Sequence, residues 1–348
     1  MTNPASASTE QLATPEGVPY ESWTEIDADL HDCPQPLANI VRSSRVMTAR
    51  FDAPRVPFWK VPDDVDVIED LPYADDSESV RGHRLDLYLP HDAVVRGGRT
   101  LPVYVDVHGG GFVYGYKELN RNFCTHLAER GFAVFSLSYR PAPQTDFIGQ
   151  LRDVEQGLSW IRDHRHEYPI AQHGVWLTGD SAGACLAFFA TAIEHASFVA
   201  QGFGVEASGV GVLGAALISG VYDMSPYIPA PGVAVRQVED PTSILHALSQ
   251  PFFGALADVP AAVCEVAAIA GNVALPPIFL NTSSDDFIQA ETLSLAALLA
   301  AHGIDFELHD WKVAKGESLG HVFPICMTWL AESAAVLGMI HDFTYARL

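Results

Sequence analysis

The sequence has 348 residues, of which 43 are acidic and 20 are basic, so its formal net charge is -23. This negative charge repels phosphate backbones and anionic lipid headgroups, which disfavours nucleic acid and membrane surfaces as partners. Hydrophobic residues make up 48% of the chain, enough for one large α/β domain or two ordinary ones.

Cysteine usage and the distribution of apolar residues bear on the compartment. The five cysteines have no Cys-x-x-Cys spacing: Cys33, Cys124, Cys185, Cys264 and Cys326. An odd number of scattered cysteines is typical of reduced thiols, so we expect a cytoplasmic protein. The first twenty residues have neither a basic start nor an apolar run, so we expect no secretory signal. The most apolar region, 209–220, is too short to span a bilayer.

The first part of the chain changes its pattern near residue 59. Residues 22–58 mix acidic and apolar positions without strand-like alternation, which predicts short helices that cover another part of the molecule. Within residues 65–89 the apolar period becomes two, most clearly at Leu85, Leu87 and Leu89. This alternation predicts one or two strands.

Strand and helix patterns alternate after residue 100. The predicted strands cover 103–107, 132–137, 175–179, 209–219, 277–281 and 306–313. The predicted helices cover 119–130, 148–161, 182–196, 289–302 and 323–340. This order predicts a mostly parallel sheet with helices on both faces, in which ligands bind beyond the carboxyl ends of the strands.

One interval does not follow the alternation. Residues 221–273 contain prolines and scattered helical residues but no clear strand, and they are too many for a simple crossover. We expect a helical cap over the strand ends, with residues 1–58 packed beside it. The predicted core of the protein then consists of 59–220 and 274–348.

The most informative stretch joins a strand to a helix through a sharp turn. The strand pattern that begins at Val175 passes through Gly179-Asp180-Ser181-Ala182-Gly183 into a helix-forming run. So tight a turn crowds the backbone, and the two glycines leave room for it. The Ser181 hydroxyl is therefore expected to project from the strand end, as a nucleophile at a helix N-terminus.

A second motif follows the strand 103–107 and reads His108-Gly109-Gly110-Gly111-Phe112. Consecutive glycines let backbone N–H groups converge on one point, and no side chain blocks a reacting group. Such donors stabilise the negative oxygen of a tetrahedral intermediate. Our candidates for this oxyanion hole are Gly109, Gly110 and Ala182, the residue after the nucleophile.

A serine hydroxyl needs a base, and a neutral imidazole suits that role. His321 lies between the last predicted strand and the last helix, at the sheet edge where Ser181 is expected. Asp286 and Asp285 follow the strand 277–281, and either has the chain position of the acid that orients the imidazole. We prefer Asp286 and keep Asp285 as the alternative.

These motifs resemble the hormone-sensitive-lipase-like branch of the α/β-hydrolases, often called family IV bacterial esterases. The likeness also includes residues 138–143, Ser-Tyr-Arg-Pro-Ala-Pro, and extends over about residues 103–340. The resemblance implies an α/β-hydrolase fold with an eight-stranded, mostly parallel sheet and a helical cap. It implies the nucleophile Ser181, the base His321, an acid at Asp286 and hydrolysis of short- to medium-chain carboxylic esters. A homodimer would also fit the family.

The chain departs from the family pattern at two places. Members commonly have Leu at the position of Pro141, and Asp-Pro-Leu-Arg-Asp-Glu where this chain has Asp286-Phe-Ile-Gln-Ala-Glu291. Counting back from Glu291 selects Asp286 as the acid. We expect structural roles for His108, which would hold the glycine-rich loop, and for Asp180 beside the nucleophile.

Other interpretations of the same motifs remain open. The site could serve another acyl substrate, such as an arylformamide, a lactone or an acetylated sugar or drug. Alternatively, the fold could be a non-catalytic module that binds small molecules, which predicts a missing triad member. Acyl transfer by such a triad requires no metal or organic cofactor, and the grouped histidines His164, His166 and His173 are expected at an exposed helix end rather than in a metal site.

Overall fold

The computed structural model describes residues 23–96, 100–229 and 244–348, and its central feature is one eight-stranded sheet. The strands are β1 (Val65–Pro72), β2 (Arg84–Pro90), β3 (Val103–Val107), β4 (Ala133–Leu137), β5 (Val175–Asp180), β6 (Val212–Ile218), β7 (Ile278–Ser283) and β8 (Phe306–Trp311). Their order in the sheet is β1-β2-β4-β3-β5-β6-β7-β8. Strand β2 runs antiparallel to both β1 and β4, whereas all pairs from β4 to β8 are parallel.

Helices connect and cover the strands. The α-helices are α1 (Gln35–Asp52), α2 (His91–Arg96), α3 (Arg121–Glu129), α4 (Phe147–His164), α5 (Ala182–His195), α6 (Ser197–Phe203), α7 (Ile244–Ala247), α8 (Ala261–Cys264), α9 (Val266–Asn272), α10 (Gln289–Ala301), α11 (Phe323–Cys326) and α12 (Ala331–Tyr345). Short 3₁₀ helices lie at Ala28–Leu30, Val56–Phe58, Arg81–His83, Arg165–Glu167 and Phe253–Leu256. None of the helices in the described ranges is long and apolar enough to cross a bilayer.

Successive residues of a strand face opposite sides of the sheet, so the apolar residues form two hydrophobic cores, one on each face. Val103 and Val105 of β3 face one core, which contains the apolar residues of α4 and α5. Tyr104, between them, faces the other core, formed with residues of α3 and α12. Every residue of β3 and β5 is buried, as expected for central parallel strands covered on both faces. The predicted α/β-hydrolase fold is confirmed.

The strand register brings the carboxyl ends of β3, β5, β6 and β7 to one edge of the sheet. Gly179 pairs with Val107, and Asp180 pairs with Ile218, which in turn pairs with Asn281. The loops that follow these strands therefore meet at this edge, where the cleft of an open α/β sheet is found.

The N-terminal helices differ from the prediction in length. The segment contains two short 3₁₀ helices, as predicted, but between them Gln35–Asp52 forms one helix of 18 residues that has Pro36 in its first turn. No further proline and no glycine interrupts the chain before Asp52, so the helix can continue. Residues 1–22 of the predicted N-terminal segment lie outside the described residues.

The predicted last helix, 323–340, is wrong because the structure has two helices there. Helix α11 ends at Cys326, and α12 begins at Ala331. The carbonyl of Cys326 accepts a hydrogen bond from the Trp59 indole at 3.0 Å, and that of Met327 accepts one from the Ser333 hydroxyl at 2.8 Å. Side chains thus take the carbonyls that a continuous helix would use, and the chain bends between the two helices.

The predicted cap interval, 221–273, lies only partly within the described residues, because 230–243 falls outside them. Its described part forms α7, α8 and α9 and contains no strand, as predicted. Helix α1 packs against α7, so the N-terminal segment does lie beside this interval.

Candidate active site

The turn after β5 holds Ser181 in a strained backbone conformation. Its φ of 51° and ψ of -117° lie outside the regions that most residues with a side chain adopt. A Cβ on Gly183 would lie 1.9 Å from the carbonyl oxygen of Val107, and one on Gly179 would lie 2.7 Å from that same atom. Both glycines are therefore required, and Ser181 sits at the N-terminus of α5 between them, as the motif predicts.

The backbone around Ser181 is fixed by the neighbouring strand. Its N–H donates to the carbonyl of Ile218 at 3.0 Å, and its carbonyl accepts from the N–H groups of Cys185 and Val221. Ser181 is only partly buried. Backbone hydrogen bonds to neighbouring segments thus fix the position of Ser181 at the edge of the sheet.

The glycine loop, residues 108–116, lies beside this turn, and one prediction about it is wrong. The N–H of Gly109 donates to Oδ1 of Asp180 at 2.9 Å, so it is not free to stabilise an oxyanion. Asp180 Oδ1 also accepts from the Asn120 amide at 2.8 Å. Asp180 therefore has the structural role expected of it, because it ties the glycine loop to the nucleophile turn.

Three backbone N–H groups near Ser181 have no partner among the described residues, those of Gly110, Gly111 and Ala182. Gly110 and Gly111 have φ values of 99° and 59°, which glycine adopts without strain. Gly111 was not among the predicted donors. Its glycine identity was the available signal, but sequence alone does not tell which of three successive N–H groups are left without another partner.

His108 anchors the same loop. Its ring stacks on Tyr139 at 4.2 Å between ring centroids, and its Nδ1 lies 2.9 Å from the carbonyl of Gly109. The Tyr139 hydroxyl donates to the carbonyls of His108 and Gly109. Burial lowers the pKa of His108 to about 4, so the ring is neutral at neutral pH. These contacts agree with the predicted holding role.

Aromatic residues that follow in the glycine loop are buried rather than aligned along a cleft. Phe112 packs against the rings of Phe252 and Phe253. The Tyr114 hydroxyl bonds to two side chains of the N-terminal segment, and Tyr116 is buried as well. Phe112 therefore contributes to packing, whereas the Tyr114 hydroxyl links the glycine loop to the N-terminal segment.

The imidazole of His321 and the carboxylate of Asp286 form a close pair. Nδ1 of His321 lies 2.9 Å from Oδ1 of Asp286, whose side chain is fully buried. Oδ1 also accepts from the N–H of Ile288, and Oδ2 accepts from the Thr282 hydroxyl. Burial tends to raise the pKa of Asp286, but the hydrogen bond and charge of His321 outweigh it, so that this pKa is lowered and the carboxylate is ionised.

Asp285, the alternative acid, bonds elsewhere. Its two oxygens accept hydrogen bonds from the N–H groups of Leu319 and Gly320 and from the hydroxyls of Ser318 and Ser283. It therefore holds the loop that carries His321, while Asp286 holds the ring. Because both residues are acids in the same turn, the sequence alone left this division open.

His321 lies in the loop after β8, at the same edge of the sheet as the turn that carries Ser181. Its charge counters part of the effect of burial, which raises the pKa of Asp180, the residue before Ser181. The ring is partly exposed, and the ring of Phe287, which is 79% exposed, covers one side of it at 4.6 Å between centroids. With Nδ1 bound to Asp286, Nε2 is the nitrogen left to receive a proton.

One further buried carboxylate, Asp106, lies next to Asp180. The Asn120 amide donates to Asp106 at 3.1 Å as well as to Asp180. Burial, with the charge of Asp180, raises the pKa of Asp106 to about 7. No group of three or more His, Cys, Asp or Glu side chains with the arrangement of a metal site is found in the part of the chain that the structure describes.

The sheet, the strained serine turn and the His–Asp pair together define an α/β-hydrolase with a serine nucleophile. A family model described as alpha/beta hydrolase fold matches residues 104–323. The chain belongs to this family, and its resemblance to the hormone-sensitive-lipase-like branch is confirmed.

Several known proteins with similar sequences or structures are named esterases. The chain is 26% identical over 205 residues to Esterase LipQ of Mycobacterium tuberculosis, a match that covers 53% of this chain and 47% of the relative. It is 30% identical over 146 residues to the probable carboxylic ester hydrolase LipM of the same organism, covering 42% and 33%. The chain thus spans about half or less of the length of these curated relatives.

The solved structure of Esterase B from Lactobacillus rhamnosis is similar over most of both chains. The TM-score is 0.77 at 27% identity, and the match covers 89% of this chain and 95% of the other. A second structure of that enzyme, inhibited by a C4-C4 tributyrin phosphonate, has a TM-score of 0.76 at 26% identity, with the same coverage.

Proposed function

We propose that the protein is a serine carboxylic ester hydrolase that acts on short- to medium-chain esters through an acyl-enzyme intermediate. The observation that carries this proposal is the buried Asp286 carboxylate held on Nδ1 of His321 near the strained Ser181 turn. The esterase names of the relatives support it, as does the phosphonate-inhibited state of Esterase B.

The proposed reaction has two similar halves. His321 takes the proton of Ser181 as the hydroxyl oxygen attacks the ester carbonyl, and Asp286 stabilises the imidazolium. The same imidazole then protonates the leaving alcohol. Water attacks the acyl-enzyme in the second half, again with His321 as the base, and releases the acid. No metal or organic cofactor takes part.

We assign the oxyanion hole to the N–H groups of Gly110, Gly111 and Ala182. Their freedom from other partners among the described residues supports the assignment. Ala182 directly follows Ser181, and the glycine loop is bonded through Gly109 to Asp180, the residue before Ser181. Gly109 is left out because its N–H donates to Asp180. One such donor typically contributes about 3 to 4 kcal/mol to transition-state stabilisation.

Residues 1–58 and 221–273 form the cap in this proposal, over a core of 59–220 and 274–348.

We further propose a cytoplasmic location, which the five unpaired cysteines support. A homodimer through β8 is also proposed, because β8 is an edge strand whose residues are incompletely buried. Light scattering at micromolar concentration tests the dimer, and a monomer would contradict it.

The experiment is a hydrolysis profile with p-nitrophenyl esters from acetate to palmitate, compared with amide and lactone substrates. We expect the highest kcat/KM between acetate and octanoate. The Ser181→Ala variant should stay folded by circular dichroism and lose at least 10³-fold in kcat, because the attacking oxygen is gone. Retention of a tenth of the activity would exclude Ser181 as the nucleophile, and faster lactone or amide hydrolysis would change the proposed substrate.

A further inference from the structure

Helix α1 presents two buried charged side chains to the glycine loop. Arg45 is fully buried, and Asp52 is 7% exposed. They are seven residues apart and therefore lie two turns apart on the same face of the helix. Burying a charge is unfavourable unless it is paired and hydrogen-bonded, so the partners of these two side chains indicate their role.

The Arg45 guanidinium joins three segments of the chain. Its Nε donates to the carbonyl of Val113 at 2.7 Å, and its Nη2 donates to the carbonyl of Ala142 at 3.0 Å. Asp29 accepts from both terminal nitrogens at 2.5 and 2.9 Å, and Nη1 also reaches the carbonyl of Ile26. The planar guanidinium thus links Val113, in the glycine loop, to Asp29 and Ala142. The ammonium group of a lysine, on its flexible stem, could not make the same set of hydrogen bonds.

Asp52 acts on the next residue of the glycine loop. Its Oδ2 accepts a hydrogen bond from the Tyr114 hydroxyl at 2.9 Å, and that hydroxyl accepts one from the Trp23 indole at 2.8 Å. Two hydrogen bonds from the glycine loop to the N-terminal segment continue this contact: Gly115 N–H donates to the Thr24 hydroxyl, and Tyr116 N–H donates to the carbonyl of Trp23.

Val113 and Tyr114 in turn set the orientation of one peptide group. Both of their N–H groups donate to the carbonyl of Gly110, at 3.1 and 3.0 Å. A trans peptide is planar, with its N–H opposite to its C=O. The bonds that fix the Gly110 carbonyl therefore also fix the direction of the Gly111 N–H, which has no other partner among the described residues.

We propose that Arg45 and Asp52 are positioning residues for catalysis: through Val113 and Tyr114 they hold the Gly110–Gly111 peptide so that the Gly111 N–H points at the oxyanion. This inference rests on the proposed esterase function. It makes helix α1 part of the oxyanion-hole scaffold, in addition to any part it has in covering the site.

The test compares two arginines of the same helix. Arg45→Met removes the bonds to Val113 and Ala142, whereas Arg42→Met removes a half-exposed ion pair with Asp27. With activities normalised to sites titrated by a phosphonate, we expect Arg45→Met to lose about 10- to 100-fold in kcat for p-nitrophenyl butyrate, a part of what one oxyanion donor contributes. KM should stay within about twofold. Arg42→Met should match the wild type in both.

A second readout separates positioning from a merely structural role. A trifluoromethyl ketone forms a hemiketal oxyanion with the serine, whereas the matching methyl ketone binds without reacting. We expect Arg45→Met to weaken binding of the trifluoromethyl ketone by the same factor by which it lowers kcat/KM. Binding of the methyl ketone should be unchanged, because only the oxyanion of the trifluoromethyl ketone needs the Gly111 N–H. If Arg45→Met does not fold, Asp52→Ala carries the same comparison.

The outcomes are distinct for the two proposals. The positioning role would be overturned if Arg45→Met had the same kcat per titrated site as the wild type, or if it bound both ketones more weakly by the same factor. The esterase proposal would stand in either case. A wild-type protein that neither hydrolyses the ester nor binds the trifluoromethyl ketone would overturn the proposed function, and the positioning role with it.

Discussion

Nδ1 of His321 lies 2.9 Å from Oδ1 of Asp286, whereas the adjacent Asp285 bonds to the loop that carries the histidine. Two neighbouring carboxylates therefore have separate tasks. One fixes the tautomer of the imidazole, and the other fixes the path of the backbone. This division leads to the first prediction.

Asp286→Asn should lower kcat by about 10⁴-fold, because an amide in place of the carboxylate supports the wrong tautomer and cannot stabilise the imidazolium. Steady-state hydrolysis of p-nitrophenyl butyrate measures the loss. Asp285→Asn is the matched control, and we expect it to lower kcat less than about tenfold, with a loss of about 1 kcal/mol in the free energy of unfolding. Equal losses in kcat, or the reverse order, would exclude Asp286 as the acid.

Asp180 offers a second pair of variants. Both of its observed partners, the Gly109 N–H and the Asn120 amide, bond to the same oxygen, Oδ1. Asp180→Asn can keep an oxygen there and removes a buried charge close to Asp106, so we expect its melting temperature to equal or exceed that of the wild type. Asp180→Ala leaves two buried donors without an acceptor and should lower the free energy of unfolding by about 2 to 4 kcal/mol.

Thermal and chemical unfolding of the two Asp180 variants, with kcat measured in parallel, completes this test. The alanine variant should also lose more activity than the asparagine variant, because the glycine loop is released from the nucleophile turn. Equal stability of the two variants would show that the bonds to Oδ1 contribute nothing measurable.

A pair of glutamates far from the serine turn, Glu155 buried and Glu194 half-buried, predicts a pH dependence of stability. Glu155 accepts from the N–H of Ser208 at 3.0 Å, and Glu194 accepts from the hydroxyl of the same serine at 2.7 Å. Burial, followed by the charge of Glu194, raises the pKa of Glu155 well above its usual value. A carboxyl whose pKa is higher in the folded than in the unfolded state destabilises the fold as pH rises above the unfolded value, here 4.5.

Glu155→Gln should therefore remove part of this pH dependence. Relative to the wild type, the variant should gain stability as pH rises from about 4.5 to 8, and gain nothing below pH 4.5, where the wild-type side chain is protonated in both states. Urea unfolding at several pH values measures the difference. Parallel stability curves for the two proteins would contradict the proposed protonation of Glu155.

Two glycines test the steric account of the serine turn. A Cβ on Gly183 would overlap the Val107 carbonyl oxygen, whereas one on Gly204, with φ of 61°, would meet nothing within 4 Å. We expect Gly183→Ala to prevent folding or abolish activity. Gly204→Ala should cost only about 1 kcal/mol, the usual penalty of a left-handed conformation. Soluble yield, melting temperature and activity distinguish the two, and an active Gly183→Ala would contradict the proposed crowding.

The α/β architecture, the positions of the parallel strands and the motifs around Ser181 and His321 could all be predicted from the amino-acid sequence. These features depend on local periods and on turns that only glycine permits, so they can be recognised within a few residues of chain. The predicted strand 103–107 agrees with β3. The predicted terminal helix was wrong where it is divided, near Cys326, whose carbonyl accepts a hydrogen bond from the distant Trp59 side chain.

The roles of chemically equivalent groups could not be predicted from the sequence, because they depend on contacts made in the folded protein. Asp285 and Asp286 are both carboxylates, and Gly109, Gly110 and Gly111 all carry an N–H, so composition and spacing cannot rank them. Their partners come from remote parts of the chain: Asp180, for example, accepts a hydrogen bond from the N–H of Gly109, 71 residues away. Hydrogen bonds depend on direction and distance to a few tenths of an ångström, and that geometry exists only after the chain has folded.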